Sequence, residues 1–175
     1  THLGHSFPTR RSSDLVKKLD LNTEVIKTEI IVRLYNFLNG YLKFPKLKLP
    51  TIDHENITDI EDITLMLRGF WGLNNDPIAN IVDLLEHNGI IVSSLTTDST
   101  KIDAFTQILK INGHHQFCVV LGNHKQSMVR RNFDAAHELG HIILHSKLRN
   151  IKELSNEEFK ELEVEANNFA VSFLL

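Results

Sequence analysis

A single cysteine, Cys118, stands among the 175 residues, so no internal disulfide can staple the fold, and a reducing cytoplasm is the expected setting. It lies in the apolar run Phe117-Cys118-Val119-Val120-Leu121, which reads as a buried strand rather than as the surroundings of a reactive thiol. Charge of one sign is equally scarce. A formal net charge of -3 supplies no basic field for nucleic acid, and DNA binding is not expected of this chain. No apolar run approaches the roughly 20 residues of a membrane span, so a soluble chain with no membrane partner is expected. Internal repeats and low-complexity tracts are missing as well. What remains, 42% hydrophobic and 23% charged, is enough to bury one core.

The most informative stretch is Phe133-Asp134-Ala135-Ala136-His137-Glu138-Leu139-Gly140-His141. An H-E-x-x-H spacing on a helix puts two imidazoles on one face, where both reach a single zinc ion, with a carboxylate beside them to act on the attacking water. Ala135, Ala136, Leu139, Ile142, Ile143 and Leu144 make this helix apolar almost all round, which predicts burial. Buried polar groups without partners are costly, and metal coordination would supply the partners.

A catalytic zinc site wants three protein ligands and one open position. Downstream, Ser155 and Glu158 form a capping-box pattern that predicts a helix running to the end of the chain. Phe159, Leu162, Ala166, Phe169 and Phe173 fall at helical spacing as its core stripe. At about 100° per residue, Glu163 lies roughly 60° from the centre of that stripe, Glu165 about 100° away and Glu161 further still. Glu163 is therefore the acid expected to point inward, with Asn167 one turn on as a hydrogen-bonding neighbour of a ligand. Glu157, Glu158 and Glu161 read as a solvated face.

These residues carry a family resemblance. From about Ile60 to Leu175 the chain resembles the ImmA/IrrE metallo-endopeptidases, bacterial and phage zinc proteins with a small gluzincin-like fold. The matching segments are Leu67-Arg68, Trp71-Gly72-Leu73, Pro77-Ile78, Leu85 to Ile90, Ile102 to Phe105, Arg130 to His141 with His145, and Glu163-x-Glu165-Ala166-Asn167-x-Phe169-Ala170. The resemblance implies His137, His141 and Glu163 as zinc ligands and Glu138 as general base. Its E-x-x-A-[DN] pattern again selects Glu163 over Glu165. His145 continues the helix face, but a fourth protein ligand would close the site to water, so it reads as a packed or supporting group.

Residues His5 to Leu15 look like the translation of a sequencing-library adapter, and residues 1–15 are expected to be a structureless artefactual tail. Members of the family continue their last helix beyond the position where this chain halts at Leu174-Leu175, so the chain is read as a fragment. Residues 16–59 are expected to hold an amphipathic helix over Thr23–Leu42 and an extended proline-containing linker over Phe44–Pro50, and nothing in them resembles a helix-turn-helix. In relatives of the longer type such a domain precedes the peptidase. Residues 60–175 are expected to be the peptidase domain. Helices are predicted over Asn56–Gly69 and from Pro77 to His87, and strands over Ile90–Leu95, Lys101–Ile111 and Phe117–Leu121. The expected fold is α+β, a small zincin or minigluzincin-like domain whose short sheet packs on the H-E-x-x-H helix and the Glu-bearing helix.

The implied chemistry is zinc-assisted peptide hydrolysis, with Tyr35, Tyr41, Arg130 and His145 as candidate oxyanion stabilisers and a strand near Ile102–Thr106 pairing with an extended substrate. The expected partner is a protein: a phage-type repressor, an antitoxin or another transcription regulator. Two other readings are a zinc-binding sensor with little or no proteolysis and a purely structural zinc site. The intact Glu138 disfavours the structural site, which needs no base.

Overall fold

Asn112 and Gly113 both adopt positive φ, 50° and 84°, the backbone that a two-residue hairpin turn requires. They join β3 (Ala104–Ile111) to β4 (His114–Gly122), paired antiparallel from Ala104↔Leu121 to Ile111↔His114. The runs 101–111 and 117–121, expected as two strands, are thus arms of one hairpin, and the Asn-Gly dipeptide is its turn signal. The computed structural model describes residues 6–8, 18–52, 57, 59–73, 76–95, 104–122, 127–146, 148 and 154–175, so Lys101–Asp103 of the expected strand lie outside the described residues.

Two further strands complete the sheet. β2 (Ile91–Leu95) runs parallel to β4, and β1 (Ser6–Pro8) pairs antiparallel with Phe105–Gln107 of β3, giving the order β1-β3-β4-β2. Finding a strand at Ser6–Pro8 corrects the expectation of a structureless tail over 1–15; the rest of that segment lies outside the described residues. Because β3 offers a row of backbone donors and acceptors on its outer side, even a short extended segment can add to it.

Both faces of the sheet are covered, which explains the near-continuous apolar runs in its strands. On one face Ala104, Val119 and Leu121 join the main core, and on the other Phe105, Leu109, Ile111, Cys118 and Val120 pack with Ile31, Val32 and Tyr35. The last three belong to α1 (Lys18–Asn39). Of the apolar positions expected to pack, Ile31 makes the contact, whereas Ile30, Leu34 and Phe37 are exposed and Val32 and Tyr35 pack beside Ile31 instead. Residues 43–50 after it belong to neither helix nor strand.

The main core holds the other helices. α2 (Ile60–Phe70) starts later than predicted because the Asp59 side chain caps the backbone N–H of Glu61. It buries Ile63 and Leu67 but leaves Leu65 exposed. α3 (Ile81–His87) likewise starts at a side-chain cap, Asn80 accepting from Val82 and Asp83, rather than at Pro77. α4 (Met128–Gly140) runs without a break into a π-helical turn, His141–His145, and α5 (Asn156–Leu174) carries the expected Ser155–Glu158 capping box. On α5 the buried stripe is Ala166, Phe169, Ala170 and Phe173, with Phe159 and Leu162 half-buried at its start.

α2 fixes the far end of α5. The buried Arg68 donates to the carbonyl of Phe173 at 2.7 Å and to that of Asp76 at 2.6 Å, and Thr64 meets Ser172 at 2.7 Å. A guanidinium on the last carbonyls of a helix suits the negative end of its dipole. Trp71 packs edge-on against Phe173 in the same corner.

The approach of α4 to α5 depends on Gly140. A Cβ there would lie 3.1 Å from Phe169 Cδ1 and 3.2 Å from both Cα and the carbonyl oxygen of Ala166. Alanine in a helix interior normally gains about 0.5–1 kcal/mol over glycine, whereas overpacking a tight core costs about 1–3 kcal/mol. Two of the three obstructing atoms are backbone and cannot rotate away, so overpacking wins. Gly140→Ala is expected to destabilise the fold by about 1–2 kcal/mol in urea unfolding; an unchanged or raised midpoint would show that the helices do not need the missing methyl group.

Candidate metal centre

His137, Glu138 and His141 fall in the buried second half of α4 and the start of the π-helical turn, and Glu163 stands on the facing side of α5. Exposure is 7% for His137, 0% for Glu138 and 2% for His141, so burial of this helix follows its apolar flanks as expected. Gly140 and the small Ala166 let the two helices come close enough for Glu163 to reach the histidines.

The distances decide what the cluster can hold. His137 Nε2 and His141 Nε2 are 3.1 Å apart, and the Glu163 carboxylate oxygens lie 3.7 Å from the first and 3.4 Å from the second. A tetrahedral ion with bonds of about 2.0–2.2 Å sets its ligand atoms about 3.3–3.6 Å apart. Among the described residues these three side chains form a group of His, Cys, Asp or Glu able to share one ion. Neighbouring groups already orient the donors. The amide oxygen of Asn167 lies 3.1 Å from His137 Nδ1 and can only accept, so the ring proton sits on Nδ1 and leaves Nε2 bare towards the cluster.

Glu138 is held differently. Thr106 Oγ1 donates to its Oε2 at 2.7 Å, while Oε1 is buried with no hydrogen-bond partner. An orphaned carboxylate oxygen beside three converging ligand atoms fits a site built for an ion and a water. The threonine comes from β3, and pleating puts it on the same face as Ala104, towards α4. Its part was not legible in the sequence, since a threonine in a strand announces no partner.

Electrostatics follow from burial. Loss of water pushes the Glu138 carboxyl up to about 8, against the Thr106 hydrogen bond, with Glu163 and Asp134 adding repulsion. The same loss lowers His137 to about 4, His141 adding to the effect, and lowers His141 to about 3, with His145 contributing. Both imidazoles of the cluster are thus neutral near pH 7, the form that binds metals.

The other sequence candidates are placed less favourably. Tyr35 packs on the opposite face of the sheet and stacks on Phe44, and Tyr41 is 77% exposed beside Phe37. Neither belongs to the cluster. Arg130 pairs with Asp134 at 2.9 Å one turn along α4. His145 is buried, with Nδ1 3.0 Å from His141 Nδ1 and Nε2 2.8 Å from Glu165 Oε2. Glu165, read from helix phase as turned away, is indeed about half exposed, yet its side chain reaches back to that histidine.

A family model described as the IrrE N-terminal-like domain, a peptidase family, matches residues 86–175. The match begins on α3 and takes in the sheet strands β2 to β4, α4 and α5. No curated protein matches the chain.

The buried groups make stability depend on pH in the metal-free state. Unfolded, His137 and His141 take up protons near their ordinary value of 6.5; folded, they resist until about 4 and 3, so both withdraw stability as pH falls below 6.5. Glu138 acts in the opposite sense. The folded chain keeps its proton up to about 8 and the unfolded chain releases it near 4.5, so stability is withdrawn as pH rises through that window. Two groups outweigh one below 6.5 and Glu138 acts alone above it. Urea midpoints of chelator-treated protein should therefore peak near pH 6.5, and Glu138→Gln should flatten the decline on the alkaline side; a decline unchanged in that variant would remove Glu138 as its source.

Proposed function

The chain belongs to the IrrE N-terminal-like domain family of peptidases, and on that premise we propose that it is a zinc-dependent endopeptidase that cleaves a partner protein. The observation that carries the reading is the convergence of His137, His141 and Glu163 on one point, with the buried Glu138 carboxylate beside it. No helix among the described residues is long and apolar enough to cross a membrane, and the proposed substrate is a regulatory protein: a phage-type repressor, an antitoxin or another transcription regulator.

His137, His141 and Glu163 are the proposed zinc ligands, all three offering the nitrogen and oxygen donors that zinc accepts. When bound there, zinc would polarise the scissile carbonyl and bring the pKa of water towards neutrality. Glu138 is the proposed general base. Thr106 holds its Oε2, which leaves Oε1 to take the proton from the attacking water and return it to the leaving amine. Burial raises the affinity of its carboxyl for that proton, and the positive charge of a bound metal beside it would keep the group ionised until the transfer. Asn167 keeps His137 in the orientation that faces the cluster.

Substrate would bind as an extended strand along β3, the strand from which Thr106 reaches Glu138. Ser6–Pro8 takes that place here, with Phe7 in register with Thr106. Backbone pairing would thus carry a peptide past the base whatever its side chains.

Metal analysis should find about one zinc per chain. His141→Ala should abolish binding and Glu163→Gln should weaken it strongly, because two remaining ligands hold zinc poorly. Glu138→Gln should keep fold and zinc yet lose cleavage of a repressor or antitoxin encoded beside this gene. Cleavage by Glu138→Gln at the wild-type rate would overturn the mechanism. Zinc uptake without cleavage of any such regulator would put a sensor in place of the peptidase.

A further inference from the structure

We propose that Glu165 and His145 form a positioning relay that holds His141 in the one tautomer able to ligate metal through Nε2. The inference rests on the metal-site reading above and assigns it two more residues, one of them on the solvent-facing side of α5.

Each hydrogen bond in the chain of contacts has a direction. The Glu165 carboxylate accepts, so at 2.8 Å His145 donates through Nε2–H. The relay requires a neutral ring, whose one proton is spent on that bond, so that Nδ1 is an acceptor. It lies 3.0 Å from His141 Nδ1. Two bare nitrogens at that distance repel; a bound cation would relieve the Nε2 pair of His137 and His141 but not this one, so the favourable arrangement has His141 donating through Nδ1–H. The only remaining position on the His141 ring, Nε2, is left unprotonated, 3.1 Å from His137 Nε2 and 3.4 Å from Glu163.

Asn167 does the same for His137 in one step, through its amide oxygen at 3.1 Å. His141 needs two steps because it opens the π-helical turn, where the next ring, His145, occupies the space that an outer partner would take. The carboxylate is thus moved one residue outward. It also adds negative charge along the line of donors, which raises the basicity of the ligating nitrogen.

The alternatives differ in what they leave behind. Without Glu165, His145 can place its proton on Nδ1, facing His141, and the pair then favours a proton on His141 Nε2, where a metal must bind. A purely structural role for Glu165 predicts no effect on metal affinity, since a half-exposed side chain contributes little to the fold.

The test measures zinc affinity by competition with a chromophoric chelator. Glu165→Ala is expected to weaken zinc binding about tenfold and His145→Phe by about 10–100-fold, the range for removing a group that supports a metal ligand. His145→Gln, whose side-chain carbonyl can accept from His141 Nδ1, should recover most of the loss. Glu161→Ala, on the exposed face of the same helix, should bind as wild type does. Histidine nitrogen shifts of the zinc-loaded protein should show the His145 proton on Nε2. A proton on His145 Nδ1, or affinities of Glu165→Ala and His145→Phe within about twofold of wild type, would overturn the relay and leave the peptidase reading standing. Absence of zinc binding by the wild type would overturn both. Glu165→Ala is the decisive variant if His145→Phe fails to fold, because it alters only a half-exposed position.

Discussion

Two imidazole nitrogens and a carboxylate held 3.1–3.7 Å apart inside a protein are the constraint on which this structure turns. Buried lone pairs that close repel one another unless a proton or a cation stands between them. The fold nevertheless brings them together. Gly140 admits the backbone of Ala166, Arg68 anchors the carbonyl end of α5, and the capping box starts the same helix on the other side of the proposed ligand. Together these contacts fix where Glu163 stands relative to the histidines.

The same burial that makes the cluster unfavourable when empty gives it chemical use. Imidazoles kept neutral by burial are ready for a metal without first losing protons, and the charge of a bound cation would offset the burial that raises the Glu138 carboxyl. Thr106 tempers the shift on Glu138 by donating to it, and in doing so selects which oxygen stays free. Sheet and helix thus cooperate at one carboxylate, because the strand that supplies the hydroxyl is also the strand along which the proposed substrate lies.

Much of this was legible in the sequence where the signal was local. The H-E-x-x-H spacing and the apolar flanks located the buried helix, the Ser155–Glu158 box located α5, and helix phase chose Glu163. Where tertiary packing decides, the reading fell short. Side-chain caps at Asp59 and Asn80 moved two helix starts, and packing on the second sheet face took up only part of the apolar stripe expected of α1. Tyr35 and Tyr41 could be nominated as site residues only because a sequence does not say which face of the sheet a preceding helix covers. Thr106 gave no signal at all.

Glu165 shows how a correct local inference can still miss a function. Helix phase placed it towards solvent, and about half of its side chain is exposed. Phase describes where the Cβ points, whereas two further methylene and carboxyl atoms can bend along the helix surface to a neighbour one or two turns away. The neighbour is a histidine in the π-helical turn, and its Nε2 meets the Glu165 carboxylate at 2.8 Å. An exposed carboxylate supplies an acceptor at lower desolvation cost than a buried carboxylate would, since its remaining lone pairs stay in water. The proposed relay therefore runs from solvent to the cluster centre, and its charged end sits where charge is least expensive to keep.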